Sequence, residues 1–435
     1  MKANKLLVLA LTAVAAAGLS ACGNTTTDKV YSDVNTKINI WATAKEEAVI
    51  KNIVDAYNAK QKDETKKFNY EFTAVAESDA GTTLQKDPNV KNAPALLLCA
   101  DDHISGLANK GIILELKGEF KKTVVDNNTP VSVLGATYNN GIYGYPVTSD
   151  NGYFLWYNAS ALQANDVTTL EGLLAKAKSS GKKVLMDIPN GWYVNSFFTS
   201  PDLCGTDSLR FATEKDPADG VVKTSYTCNW DNANAVAAVE YLSGLLKPYY
   251  ADGTLITGSN ENIVAGFQDK SLIAAVSGTW MEGDLEKAMD GDTLAATKLP
   301  TYTVNNKTIQ MSSFTGSKIY TINKTRPVAE QKAAAALADL LTTKESQLKR
   351  FETRQSIPCN KEAVNDERYT KNVSKGAKAL EQQNAFAAVQ AQSAEGRYWD
   401  IGKAIGQAII DGELGTYTTW KDFMEYQVGL LKQKQ

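Results

Sequence analysis

The sequence predicts an α/β protein of two lobes, and three observations predict it. Helical and strand patterns alternate along most of the chain. An early strand–helix–strand–helix–strand run ends in Leu96-Leu97-Leu98, an unbroken apolar segment suited to a buried parallel strand. About 410 residues follow an N-terminal leader, too many for one ordinary core.

Lys37-Ile38-Asn39-Ile40-Trp41 alternates apolar and polar residues and reads as a strand. Residues 46–60 carry apolar side chains at helical spacing, among them Val49, Ile53, Val54 and Tyr57. Residues 68–76 alternate again, and the apolar run that follows ends at Cys99-Ala100-Asp101-Asp102. Ligands of open α/β sheets sit beyond the carboxyl ends of strands, so Trp41 and Asp101-Asp102 are candidate contacts. Asn139-Asn140-Gly141 is a hairpin signal, and residues 150–158 read as a further strand. Helices are expected at 234–247 and 261–270, then a buried strand at 272–276 that ends at Ser277-Gly278-Thr279-Trp280. A strand at 318–322 and an Ala-rich helix at 329–342 precede a helical tail, 371–434, broken near Gly396 and Gly412.

The leader has its own logic. Lys2 and Lys5 flank a charged start, and Leu6 to Ala17 is apolar apart from Thr12, too short to span a bilayer. Leu19-Ser20-Ala21-Cys22 resembles the lipobox of bacterial lipoproteins, which implies a signal peptide over 1–21 and a lipid on Cys22. The alternative is an ordinary cleaved signal with an incidental cysteine. Residues 22–36 are expected to be a flexible tether, which would hold the protein on the extracellular face of the cell membrane.

Composition narrows the chemistry. Lys plus Arg total 46 against 49 Asp plus Glu, a net charge of −3 without long blocks, which gives nucleic-acid binding little support. His103 is the one histidine, which removes most His-based metal sites and Ser-His or Cys-His catalysis. No cofactor and no metal are expected. Seven Trp and nineteen Tyr are a generous supply for stacking on carbohydrate, and aromatics also fill cores. Cys204 and Cys228 bracket two β-like runs around Asp216-Pro217-Ala218-Asp219-Gly220, so a hairpin could bring them together as a disulfide or leave two free thiols. Cys99 and Cys359 are left unpaired.

Several segments together carry a resemblance: Ile38-Asn39-Ile40-Trp41, Leu96 to His103, Gly141-Ile142-Tyr143-Gly144-Tyr145-Pro146, Leu155-Trp156-Tyr157-Asn158, Ala265 to Lys270, Ala275 to Trp280, Leu299-Pro300-Thr301 and Arg397-Tyr398-Trp399-Asp400. In this order and spacing they resemble the maltose/maltodextrin-binding branch of the sugar-binding proteins of ABC importers. The resemblance implies a two-lobed periplasmic-binding-protein fold of type II, with the ligand in a cleft at the hinge. It places the first lobe at 36–147 plus 316–355 and the second at 150–312 plus 360–435. It also implies a monomer that hands an oligosaccharide, maltose or maltodextrin above all, to importer permease subunits.

By position, Trp280, Trp399 and Tyr193 match stacking residues of that family, with Trp192 the alternative to Tyr193. Asp102 and Asp150 match its hydroxyl-accepting carboxylates, with Asn151 the alternative to Asp150, and Lys45 or Glu46 lies in a further contact segment. Two departures stand in the first lobe: Cys99 replaces a frequent Trp, and His103, a possible sugar contact, replaces Arg. Asp102 could instead cap a helix, and Trp41 could be hinge packing. Trp156, Trp230 and Trp420 are expected to be structural. Two rival functions remain: the same fold binding another oligosaccharide, a peptide or a polyamine, and a surface glycosidase using Asp101 or Asp102 with Asp150. The favoured reading is a binding protein, not an enzyme.

Overall fold

Leu96–Ala100 is apolar on both faces because it lies at the centre of a sheet covered on each side. The computed structural model describes residues 29–205, 208–215 and 222–433. Its first five-stranded sheet runs Tyr70–Ala74, Ile38–Ala42, Leu96–Ala100, Lys318–Ile322, Tyr145–Thr148. The first three strands are parallel, and Lys318–Ile322 is antiparallel to both neighbours. A strand that arrives from more than 160 residues later thus completes the first sheet, which requires the chain to leave and return.

Between those passages it builds a second five-stranded sheet, ordered Leu255–Ile256, Lys183–Leu185, Leu272–Ser277, Phe154–Asn158, Leu294–Thr297. Each sheet has its own core: Ile40, Leu97, Ile319 and Leu337 belong to one, and Phe197, Trp230, Leu242 and Ile405 to the other. The two-lobed α/β expectation is met.

The crossing segments are tied together. Ser149 N–H donates to the Ile357 carbonyl at 2.9 Å, and Asn151 N–H to the Gly316 carbonyl at 3.2 Å. The strand expected over 150–158 begins only at Phe154, because residues 150–153 serve this crossing. Ser313–Thr315 also pairs in parallel with Ala387–Val389, a short strand the helical reading of the tail did not contain. The Asn139-Asn140 turn closes Thr137–Tyr138 onto Gly141–Ile142, both asparagines taking positive φ (44° and 63°) as a tight hairpin demands.

Two expectations need correction. Residues 29–36, assigned to a flexible tether, are docked: Tyr31 packs 5.7 Å from Tyr57 and 5.5 Å from Phe68, and its hydroxyl donates to Asp339. Residues 360–371, assigned to the second lobe, pack on the first. Arg368 forks onto Glu345 at 2.8 and 2.9 Å, and Tyr369 meets Phe351 at 5.0 Å. The expected hairpin Leu209–Lys215/Val222–Cys228 forms, and of the two alternatives left open for Cys204 and Cys228 the structure has free thiols. Both are buried as small apolar groups of the second core, and burial pushes each thiol up to about 12. The signal peptide expected over 1–21 and its Cys22 lie outside the described residues.

Candidate functional site

A cleft of about 1340 Å³ opens between the two sheets. Its second-lobe wall is aromatic. Trp192 and Tyr193 enter it on a short helix, Gly191–Val194, whose N-terminus is capped by the Asn190 side chain accepting from Trp192 N–H at 3.0 Å. Trp280 follows the carboxyl end of Leu272–Ser277, and Trp399 lies in the first turn of Tyr398–Asp411. Trp192 and Trp280 stack with centroids 5.7 Å apart and planes at 28°. Trp192, Trp280 and Trp399 are each half-buried, so each keeps area for a ligand. Tyr193 is almost wholly buried, which gives it more of a supporting share.

The wall is held in place from behind. Trp192 Nε1 donates to Gln390 Oε1 at 2.8 Å, and Tyr153 OH donates to the Trp192 carbonyl at 2.8 Å. Trp280 folds back over Gly278 so closely that a Cβ there would lie 2.0 Å from its ring. Glycine at 278 is therefore what lets the indole turn into the cleft.

The first-lobe wall is ionic. Asp102 occupies the N-cap position of His103–Asn109 yet makes no capping bond, and its buried Oδ1 has no partner among the described residues. That leaves a carboxylate oxygen in the cleft wall with unfilled accepting capacity. His103 also lines the cleft and packs on Gly81, where a Cβ would come within 2.4 Å of the imidazole. Glu77 and Lys318, which the sequence reading did not single out, complete this wall with Nζ–Oε2 at 3.3 Å. A lysine opening an otherwise uncharged, buried strand, Lys318-Ile319-Tyr320-Thr321-Ile322, was the available signal.

Two candidates do not reach the ligand space. Trp41 is buried in the first core, and its Nε1 donates to the Asn92 carbonyl at 3.1 Å, because the end of its strand is covered by residues around Asn92. Asp150 is buried at the hinge, where it accepts from Thr148 Oγ1 and from Ile357 N–H at 3.3 Å, tying two crossing segments together. Its neighbour Asn151 is the one of that pair that lines the cleft. Asp101 turns away from Asp102 to accept from Ser317 N–H at 2.9 Å; burial, then the Asp102 charge, holds its carboxyl well above the usual range.

Glu46 is likewise committed. It is buried between Arg350, at 3.0 Å, and Arg354, whereas Lys45 lines the cleft and bridges the lobes to Asp284 at 2.7 Å. The cleft carries Glu77, Asp102, Glu261, Asp284 and Glu395 against Lys45, Lys287, Lys318 and Arg354, a near balance that suits an uncharged ligand. Trp156 and Trp230 are fully buried, as structural residues should be.

A family model for bacterial extracellular solute-binding proteins matches residues 52–377. Among solved structures, a maltodextrin-binding protein of L. casei without ligand is 21% identical, with a TM-score of 0.71 over 92% of this chain and 100% of that one. MalX of Streptococcus pneumoniae in complex with maltopentaose is 19% identical, with a TM-score of 0.69 over 91% and 99% of the two chains. The maltose/maltodextrin-binding domain of Bdellovibrio bacteriovorus bound to maltotriose is 17% identical, with a TM-score of 0.70 over 91% and 99%. At these identities the likeness is one of fold. No curated protein matches the chain at the sequence level.

Proposed function

Because the chain belongs to the bacterial extracellular solute-binding protein family, we propose that it captures a neutral oligosaccharide of the maltodextrin class and delivers it to an ABC importer. One observation carries this reading: half-buried Trp192, Trp280 and Trp399 stand across the cleft from Asp102 and Glu77. A pyranose has an apolar C–H face for the indoles and a hydroxyl rim for the carboxylates. The ligand bridges the lobes and stabilises the closed state by its greater affinity for it. No bond in the ligand is broken in this reading.

A lipid on Cys22 keeps the receptor at the outer face of the membrane beside its importer. No helix among the described residues is long and apolar enough to cross a membrane, and the lipobox-like segment supports this anchor. Isothermal titration with maltose, maltotriose, longer maltodextrins, xylo-oligosaccharides and a peptide mixture tests the ligand class. Saturable binding of maltodextrins is expected, and binding of peptide alone would refute the sugar reading. Metabolic labelling with palmitate tests the anchor: label on the wild type and none on Cys22→Ala is expected.

A further inference from the structure

Lys318 stands where a strand of the first sheet meets the cleft, and its side chain is only 8% exposed. Its ammonium lies 3.3 Å from Glu77 and 5.8 Å from the ring centroid of Trp280, which belongs to the opposite lobe. Any unit laid on Trp280 therefore comes within reach of Lys318 across the cleft. A lysine ammonium has three donors. Glu77 takes one; Asp150, at 4.0 Å, is beyond direct hydrogen-bond distance and already accepts from Thr148 and Ile357. Beside this donor, Glu77 Oε1 is buried without a partner among the described residues. Donor and acceptor thus stand side by side, each with capacity unused, opposite an aromatic platform.

We propose that Lys318 and Glu77 form a specificity pair that reads two adjacent hydroxyls of the sugar unit at Trp280, the Lys318 ammonium donating to one oxygen and the Glu77 carboxylate accepting from its neighbour. The proposal rests on the oligosaccharide reading above and adds which unit is read and by what chemistry. Lys318 is charged at the pH of binding. Burial by itself lowers its pKa, but the Glu77 and Asp150 charges outweigh burial and raise it. A buried charged donor punishes a ligand that leaves it unpaired, so the pair rejects sugars that lack either hydroxyl more strongly than stacking alone does.

The test is isothermal titration of the wild type, Lys318→Met, Lys318→Arg and Glu77→Gln with maltose and its set of monodeoxy derivatives. In the wild type, two derivatives deoxygenated at neighbouring carbons are expected to lose about 10- to 100-fold in affinity. In Lys318→Met one of those two penalties disappears, so that derivative and maltose bind alike; in Glu77→Gln the other shrinks. Lys318→Arg, which keeps charge and donors, retains part of the discrimination and covers the case in which the methionine variant fails to fold. Equal ranking of all derivatives by wild type and folded variants overturns the pair while leaving the oligosaccharide reading intact. Failure of the wild type to bind any maltodextrin overturns both.

Discussion

The two walls of the cleft differ in their aromatic side chains: all three indoles stand on the second lobe, whereas charged groups line both. The second lobe offers indoles, supported by hydrogen bonds from behind such as Trp192 to Gln390 and Tyr153 to the Trp192 carbonyl. The first lobe offers charged groups and no indole, among them Lys45, Glu77, Asp102 and Lys318; behind them Glu46 is committed to Arg350 and Arg354, and Asp150 to the hinge. Stacking is tolerant of which sugar arrives, because every pyranose has a C–H face. Hydrogen bonds to buried charged groups are not tolerant. Affinity is therefore expected mainly from the indoles of the second lobe, and discrimination from the buried charged groups of the first.

The largest effect expected is on the scaffold of the ionic wall. Glu46→Ala leaves Arg350 buried and unpaired, and a loss of about 3–5 kcal/mol is expected in denaturant unfolding. A neutral result would mean that the first-lobe network contributes little, and the contrast between the walls would lose its structural basis. Next comes the aromatic wall. Trp280→Ala and Trp399→Ala are each expected to weaken maltodextrin binding by about 2 kcal/mol, near 30-fold in Kd, for all chain lengths that bind. A selective loss for one sugar only would reverse the assignment of affinity and discrimination.

Asp102→Asn should cost less, about 1 kcal/mol in binding, since a neutral acceptor replaces a charged one at the free Oδ1. Its signature is a change in preference among sugars, read in the same titrations. The exposed Lys45–Asp284 bridge between the lobes is expected to matter least. Lys45→Ala should shift affinity by less than about 1 kcal/mol, and that shift should fade at high salt. Separately, a chain of residues 29–435 unfolded without reductant should titrate four thiols, Cys99, Cys204, Cys228 and Cys359; two thiols would restore the disulfide.

Much of the scaffold was legible because it depends on local pattern. The alternation at Ile38–Ala42, the apolar run at Leu96–Ala100 and the Asn139-Asn140 turn each fix an element within a few residues. The site was legible in part. Trp280, Trp399, Asp102 and His103 line the cleft; Tyr193, the positional match, does so while almost wholly buried, and its alternative Trp192 keeps more exposed area. Trp41 and Asp150 carry the same side chains as useful contacts, but one is covered near Asn92 and the other is held by the hinge. Residue type and strand end are local properties, whereas exposure is set by what packs above.

Local pattern carried much of the element order and the lobed α/β plan, and it raised the lipobox-like segment at Cys22 as an expectation. Which groups share the cleft is set by the folded arrangement of the two sheets. Lys318 meets Glu77 across more than 200 residues of chain and faces Trp280 from the other sheet, contacts that no spacing rule encodes. The physical reason is that a two-lobed fold assembles its site after the chain has crossed between sheets. Whether a carboxylate is free for a ligand then depends on which distant cation or amide reaches it first.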